Sequence, residues 1–299
     1  MSTLTHLSTY LPTTRFTLEE LSEQGIIPHN DLSELLKRGF CKVPLAINQT
    51  SLDILFSTLD QLFKSDIDKE RITRIIMPYS HYSFPHVYDL FGMIKERYNL
   101  PNAEGFSLKD LYCSTFLLGI KMMDLFIKQN NNKELGLIVS IEKAVHSQLI
   151  YWEGYPFVTG DAGVAAIMSG NSVGTDVLAI EVDIVSSENK LMDFSIMINI
   201  YKLIGRTLEK AGLTLSDVKL IIPNNTNSNT WIQFSKLLKV SENIFYQKGL
   251  KEFGHINNCD LLLNMNLAER SEVIKKGDIF ILLSTAVGGG MGCAVCRKG

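Results

Sequence analysis

The sequence repeats one apolar strand pattern, RIIMP at residues 74–78 and KLIIP at residues 219–223. An apolar run that ends in proline is typical of a buried strand leading into a loop. Each run follows a segment whose apolar residues recur with helical spacing, residues 51–63 in the first case and 194–211 in the second. The repeat therefore predicts two α/β units of the same kind.

Each unit continues with a second apolar run and then a glycine-bearing turn into a strand of small residues. The second runs are residues 135–140 and 278–284, and the turns begin at Gly160 and Gly288. This shared order predicts an α/β fold in which each half has a mixed sheet covered by helices. The two sheets are expected to pack about a shared middle layer of helices.

A polar stretch with turn-forming residues, at residues 186–190, divides the two predicted halves. We therefore expect an N-terminal half over residues 1–186 and a C-terminal half over residues 187–299. The alternative is a chance likeness between two ordinary α/β domains, because strands that end in proline and paired glycines are common.

Composition excludes several classes of protein. The 299 residues are 45% apolar, enough for a full core, and 29 basic against 32 acidic residues give a net charge of −3, which disfavours binding to a nucleic-acid backbone. The N-terminus lacks the features of a signal peptide, and no apolar run approaches the ~20 residues of a membrane-spanning helix, so we expect a cytoplasmic protein. The five cysteines form no close pair beyond Cys293 and Cys296, and the six histidines show no metal-ligand spacing, so reduced thiols and no metal site are expected.

Cys113 lies where a predicted amphipathic helix begins. The positive end of a helix favours the thiolate, which is the nucleophilic form of cysteine, so Cys113 is a candidate nucleophile. The alternative is a small buried apolar residue, the usual state of a free cysteine.

His255 and Asp260 occupy the matching place in the second half, just before and at the start of another predicted helix. If a pseudo-twofold axis relates the halves, the two helix starts converge and bring His255 towards Cys113. A cysteine with a histidine gives an activated sulfur and a proton shuttle, and Asp260 could orient the imidazole. Alone, His255 could be a loop histidine and Asp260 a helix cap.

The glycine run Gly288, Gly289 and Gly290 does not match a phosphate-binding loop. Its backbone amides could form an oxyanion hole beside a nucleophile. The alternative is a tight turn without a chemical role.

Taken in order, these motifs resemble the β-ketoacyl-acyl-carrier-protein synthase III family of the thiolase superfamily. The resemblance extends from Tyr10 to Arg297 and implies a duplicated five-layered αβαβα fold, usually dimeric, in which the cysteine takes an acyl group from a thioester. We expect a homodimer without a bound cofactor. The motifs that carry the resemblance are CSTF from Cys113, GDAG from Gly160, IPNNTN from Ile222, FGH from Phe253 and GGG from Gly288.

The sequence departs from that family at its decarboxylating pair. Asn224 stands where the family has histidine, and His255 stands where it has asparagine. The remaining Cys113, His255 and Asp260 resemble the Cys–His–Asp triad of synthase III-like acyltransferases from natural-product pathways. This implies acyl transfer to a hydroxyl, amine or thiol acceptor, small or carrier-bound, without decarboxylation. The alternatives are a carbon–carbon condensing synthase and a non-catalytic subunit of a heteromeric synthase.

The donor implied by the resemblance is an acyl carrier protein. The tryptophan motif with which the family's CoA-using members hold adenine is missing from residues 27–38, which weakens acyl-CoA as the alternative donor. Lys236 and Lys239 are candidates for a basic patch that meets the carrier, or else belong to a solvated helix face. Tyr79, Tyr82 and Phe84 could line the acyl tunnel or pack at a dimer interface.

Overall fold

The computed structural model describes residues 2–130, 133–152, 157–170, 172–185 and 194–299. The strands of this part are β1 (Ser2–Tyr10), β2 (Arg15–Thr17), β3 (Lys42–Pro44), β4 (Ile72–Pro78), β5 (Glu104–Leu108), β6 (Leu135–Glu142), β7 (Ala162–Gly170), β8 (Thr175–Ile184), β9 (Val218–Pro223), β10 (Ile279–Thr285) and β11 (Gly290–Arg297). The α-helices are α1 (Leu18–Glu23), α2 (His29–Lys37), α3 (Ser51–Leu62), α4 (Leu90–Tyr98), α5 (Thr115–Gln129), α6 (Phe194–Lys210), α7 (Ser228–Leu238), α8 (Lys248–Phe253) and α9 (Asp260–Arg270).

The main sheet shows the predicted duplication in its strand order, β5-β4-β6-β7-β1-β8-β11-β10-β9. Reading outward from the central β1–β8 pair, β7, β6 and β4 on one side correspond to β11, β10 and β9 on the other. The pairing directions agree as well: β4–β6 and β9–β10 are parallel, whereas β6–β7 and β10–β11 are antiparallel. In the described second half, the place of β5 beside β4 is taken by a single bridge between Ile221 and Phe245.

Helices α5 and α9 form the middle layer of the fold. Their apolar residues join one core cluster with side chains from both halves, including Ile76 and Ile138 from the first and Ile222 and Leu282 from the second. The neighbouring strand residues point the other way, as alternation along a strand requires, and pack against outer helices. These are α3 and α4 in the first half and α6 and α7 in the second. The two sheets about a shared helical layer that the repeat predicts, and the five-layered αβαβα fold that the resemblance implies, are confirmed.

The boundary predicted at residues 186–190 lies outside the described residues. The strand order nevertheless bears on where the repeat begins. β8 pairs with β11 just as β1 pairs with β7, and β8 precedes residue 186. We infer that the second repeat begins at β8 rather than at residue 187.

A smaller layer covers the sheet near the turn before β7. The two-stranded β2–β3 sheet with α1 and α2 packs its apolar residues on Phe157 and Val158, which lead into that turn. Among the described residues, no helix is both long and apolar enough to cross a bilayer.

Candidate active site

Cys113 lies in a 3₁₀ turn, Tyr112–Ser114, that runs directly into α5. Tyr112 has a φ of 44°, a left-handed conformation that reverses the chain just before the cysteine. The carbonyl oxygen of Cys113 accepts a hydrogen bond of 2.7 Å from the Ser284 hydroxyl on β10. Cys113 is 5% exposed, so its thiol is nearly enclosed at the start of the middle-layer helix.

His255 is fixed by its backbone against the segment before β7. Its N–H donates to the carbonyl of Val158 at 3.2 Å, and its own carbonyl accepts from the N–H of Gly160 at 2.9 Å. The preceding Gly254 has a φ of 65°, and a Cβ there would lie 2.5 Å from a methyl of Val43. Only glycine fits this position, and it turns the chain so that the imidazole faces inward.

The structure brings Cys113, His255 and Asp260 into one hydrogen-bonded chain. The Cys113 Sγ lies 3.1 Å from His255 Nε2, and His255 Nδ1 lies 2.5 Å from Asp260 Oδ2. His255 and Asp260 are both almost completely buried. The imidazole is therefore positioned to exchange a proton with the sulfur while the carboxylate holds its orientation.

Asp260 is the first residue of α9, but its carboxylate faces away from its own helix backbone. It accepts N–H bonds of 2.7 Å from Ile256 and 2.7 Å from Asn225, in addition to the imidazole. The positive end of α9 also favours a negative charge at this position. These partners fix the carboxylate next to His255 Nδ1.

The pKa of His255 is raised well above its usual value of 6.5. Burial alone lowers it, but attraction to the Asp260 carboxylate and to Cys113, with hydrogen bonds to both, outweighs burial. The raised pKa makes the imidazole a stronger base towards the thiol of Cys113.

Asn224 is buried and directed at the backbone of β10. Its amide nitrogen donates to the carbonyl of Thr285 at 2.8 Å, and its amide oxygen accepts from the N–H of Thr285 at 3.1 Å. Both ends of the amide are thus used by main chain. The structure shows Asn224 as a brace between β9 and β10.

Asn258 was not given a role from the sequence, yet it connects the two halves at the site. Its Oδ1 accepts 2.8 Å from the N–H of Phe116 in the first turn of α5, where Ser114 makes no side-chain cap. Its Nδ2 donates to Glu142 Oε1 at 2.8 Å and lies 2.9 Å from the Ser80 hydroxyl oxygen. Asn258 therefore caps the nucleophile's helix from the opposite half.

Glu142, at the end of β6, is a buried acidic residue beside Asn258. Its Oε1 also accepts 2.9 Å from the N–H of Ser80. Burial raises the pKa of Glu142 to about 7, although the hydrogen bonds from Asn258 and Ser80 act in the opposite direction.

A line of aromatic rings that the sequence analysis missed runs from the histidine back to the cysteine turn. Phe157 meets His255 edge-on at 5.4 Å between ring centroids, and Trp152 stacks on Phe157 at 5.4 Å. His81 lies 5.2 Å from Trp152 and 6.4 Å from Tyr112. The only sequence signal was the density of aromatic residues shortly before the turn at Gly160.

The predicted tunnel residues lie in a different environment. Phe84 is buried in the outer core of the first half, with α3 and α4, and the partly buried Tyr82 packs beside it. Tyr79 and Phe84 each meet Tyr82 at 5.5–5.8 Å between ring centroids. The structure thus gives Phe84 a packing role in the outer core of the first half.

The glycine run forms the β10–β11 turn and lies against the segment that precedes Cys113. Gly288 and Gly289 have φ values of 88° and 87°, and a Cβ on Gly289 would lie 1.8 Å from the carbonyl oxygen of Val185. A Cβ on Gly290 would lie 3.2 Å from the carbonyl oxygen of Leu111. The N–H of Gly289 donates to Ala286 within the turn, so it is not free for an oxyanion.

The residues of the predicted carrier patch are exposed. Lys236 lies in the last turn of α7, and Lys239 follows it as the C-cap of that helix. Both side chains are exposed, as contact with a carrier protein requires.

Among the described residues, no cluster of three or more histidine, cysteine, aspartate or glutamate side chains is arranged to hold a metal ion.

Comparison with known proteins gives both a family and relatives. Residues 208–298 match the 3-oxoacyl-[acyl-carrier-protein] synthase III C-terminal family. The β-ketoacyl-[acyl-carrier-protein] synthase III of Aquifex aeolicus is 24% identical over 197 residues, 60% of this chain and 62% of that protein, so less than two thirds of that relative is spanned. The enzyme of the same name from Acholeplasma laidlawii is 25% identical over 285 residues, 88% of this chain and 89% of that protein.

Solved structures agree on the fold. ChlB3, an acyltransferase, superposes with a TM-score of 0.87 at 14% identity, covering 99% of this chain and 97% of that one. The Aquifex aeolicus synthase III superposes with a TM-score of 0.82 at 18% identity, covering all of both chains. These solved structures show that the chain has the fold of the synthase III enzymes and of ChlB3. In sequence, residues 208–298 and the curated relatives make the chain similar to β-ketoacyl-[acyl-carrier-protein] synthase III proteins.

Proposed function

We propose that this protein is an acyltransferase that carries the acyl group on Cys113 and transfers it without decarboxylation. The observation that supports this most strongly is the unbroken hydrogen-bonded chain from Cys113 Sγ through His255 to Asp260. Such a chain both activates a sulfur and later activates a second nucleophile, which is what a two-step transfer needs.

In the first step, His255 Nε2 takes the proton of the Cys113 thiol and the thiolate attacks the carbonyl carbon of an acyl thioester. The new carbon–sulfur bond gives a tetrahedral oxyanion, for which the N–H of Cys113 at the start of α5 is the proposed backbone donor. The donor's carbon–sulfur bond then breaks, and His255 returns the proton to the departing thiolate. The acyl group is left on Cys113.

In the second step, the same Nε2 takes a proton from the acceptor's hydroxyl, amine or thiol as that group attacks the acyl carbon. The Cys113–acyl bond breaks and the sulfur regains its proton from His255. Asp260 keeps Nδ1 as the protonated nitrogen, so that Nε2 is free to act as the base.

The position of Asn224 supports transfer without decarboxylation. A condensing synthase that releases carbon dioxide needs polar groups that hold an enolate as it forms, and both ends of the Asn224 amide are bound to Thr285. His255 lies beside the sulfur, with the Asp260 carboxylate behind it. This arrangement serves proton transfer better than enolate binding.

The names of the relatives bear on the donor and on the main alternative. The relatives are named β-ketoacyl-[acyl-carrier-protein] synthases, which supports a carrier-bound acyl donor, and ChlB3 is an acyltransferase of the same fold. The same names favour carbon–carbon condensation as the second candidate function, with His255 as its only catalytic base.

A product experiment separates these functions. The protein is incubated with an octanoyl carrier protein and a malonyl carrier protein, and carbon dioxide and β-keto product are measured. Hydroxylamine serves as a small acceptor in a parallel reaction. Acyl transfer predicts octanoyl hydroxamate and no carbon dioxide. Carbon dioxide in equal amount to a β-keto product would show condensation, and neither product would indicate a non-catalytic subunit.

The proposed homodimer rests on an unpaired strand edge in the first half. In the described residues β5 has β4 as its only neighbour, and exposed sheet edges readily pair with a second chain. Apolar side chains are also exposed at Leu125 (53%) and Ile184 (64%). Size-exclusion chromatography with light scattering tests the proposed homodimer. A monomeric mass at micromolar concentration contradicts it.

A further inference from the structure

Asn257 provides a second polar contact on the sulfur of Cys113. Its Oδ1 lies 3.4 Å from Sγ, and the residue is 8% exposed. Its φ of 44° is left-handed, a conformation that asparagine adopts more readily than most residues. The backbone course of the 3₁₀ turn Asn257–Cys259 therefore directs this side chain towards the nucleophile.

The amide nitrogen of Asn257 has no partner among the described residues. This is unusual at the site, because the neighbouring amides of Asn224, Asn225 and Asn258 all donate from Nδ2. This nitrogen is not among the fully buried polar atoms that lack a partner, so it is accessible to a ligand that enters the site. The unused donor lies on the same amide group that contacts Sγ.

We propose that Asn257 is a catalytic residue that donates a hydrogen bond to the oxyanion formed when Cys113 attacks a thioester. This inference rests on the proposed acyl transfer. Asn257 gains and loses no covalent bond: the sulfur attacks, the carbonyl oxygen becomes negative, and the amide N–H supports that charge until the donor thiol leaves. Rotation about the Cβ–Cγ bond exchanges Oδ1 and Nδ2, so the amide can accept from the thiol before attack and donate after it.

Two variants test the inference. Asn257→Gly keeps the left-handed backbone and removes the amide, and Asn257→Asp keeps the shape and removes the N–H donors. Asn99→Gly is the matched control, because Asn99 has a φ of 54° and is exposed at the end of α4. The probes are the octanoyl thioester of N-acetylcysteamine, whose attack by Cys113 forms an oxyanion, and iodoacetamide, whose alkylation does not.

The measured quantity is the rate of Cys113 acylation divided by the rate of its alkylation, which cancels any change in the thiol itself. We expect this ratio to fall about 100-fold in both Asn257 variants, the loss typical of one oxyanion donor, and to be unchanged in Asn99→Gly. An unchanged ratio in the Asn257 variants, including one in which both rates fall together, overturns the inference while the proposed function stands. Failure of the wild-type protein to acylate overturns both.

Discussion

The starts of α5 and α9 follow the same backbone course but carry different chemistry. Each is preceded by a left-handed residue with a φ of 44°, Tyr112 in one and Asn257 in the other, and each passes through a 3₁₀ turn into a helix of the middle layer. The middle residue of the first turn is Cys113, and that of the second is Asn258. The pseudo-twofold therefore places a thiol and an amide at equivalent positions.

The difference shows that the two equivalent helix starts of a duplicated fold can take different roles at one site. The sulfur of Cys113 lies beside His255. The amide of Asn258 instead forms hydrogen bonds with three residues of the first half, Phe116, Glu142 and Ser80. The start of α9 thus supplies the catalytic base, His255, and the side chain that caps α5, Asn258. The proposed reaction needs only one nucleophile, and Asn258, at the position equivalent to Cys113, holds the helix of that nucleophile in place.

The largest effect is expected from weakening the base. Asp260→Asn should lower the rate of Cys113 acylation and discharge by about 10³–10⁴-fold, because the imidazole loses the carboxylate that fixes its proton on Nδ1. Turnover of an octanoyl thioester with hydroxylamine measures this. Asp53→Asn, in a capping box of the outer helix α3, is the matched control. A wild-type rate for Asp260→Asn would show that the triad geometry is not used.

Removal of the Asn258 side chain should affect the stability of the protein more than its rate of acylation. Asn258→Ala leaves the Phe116 N–H without its acceptor and removes one hydrogen bond each from Glu142 and Ser80. It should lower the free energy of unfolding by about 2–3 kcal/mol. Urea denaturation measures the change. Asn266→Ala, which loses one half-buried bond to Thr9, is the control and should cost about 1 kcal/mol. Equal losses in the two variants would contradict the bracing role.

The buried carboxyl of Glu142, which accepts a hydrogen bond from Asn258, should make the stability of the protein depend on pH. The pKa of Glu142 rises from 4.5 to about 7 on folding, so the stability that its protonated form contributes is fully present below pH 4.5 and is lost as pH rises through about 7. Across that interval the loss is roughly 3 kcal/mol relative to Glu142→Gln, at about 1.4 kcal/mol per pKa unit. The Tm is measured at each pH for both proteins.

The control for this pH experiment is Glu104→Gln, since Glu104 is exposed on the edge strand β5. This variant should show the same pH dependence as the wild-type protein. If the Glu142→Gln protein loses stability with rising pH as steeply as the wild type, Glu142 is ionised throughout and the expected sign is wrong.

The smallest effect is expected at the exposed lysines Lys236 and Lys239. Reversing the charge with Lys236→Glu and Lys239→Glu should lower the rate constant for acylation by a carrier protein by about 2–5-fold at low salt, because exposed charges at the rim of an interface contribute little and act on association. Single-turnover acylation by the octanoyl carrier protein measures this. A rate that the charge reversal leaves unchanged, or a drop that added salt does not remove, would contradict the predicted carrier patch.

The repeated strands RIIMP and KLIIP were enough to predict the duplicated fold, because an apolar strand that ends in proline has few alternatives. The same repeat predicted that His255 lies close to Cys113, as the structure shows. It could not assign Asn258, whose three partners come from separate segments and are set by side-chain register. Nor could it show that Phe84 packs in the outer core, since an aromatic ring satisfies the same sequence pattern in a core, on a surface or at a site.

The central claim is that the two helix starts meet to form a site that carries an acyl group on Cys113. Intact-mass measurement after incubation with an octanoyl carrier protein, followed by peptide mapping, tests it most directly. The account predicts one octanoyl group on Cys113, no adduct in Cys113→Ala, a normal adduct in Cys41→Ala, and release of the group from the wild-type protein by hydroxylamine. A wild-type protein that stays unmodified, or an adduct that survives in Cys113→Ala, would contradict it.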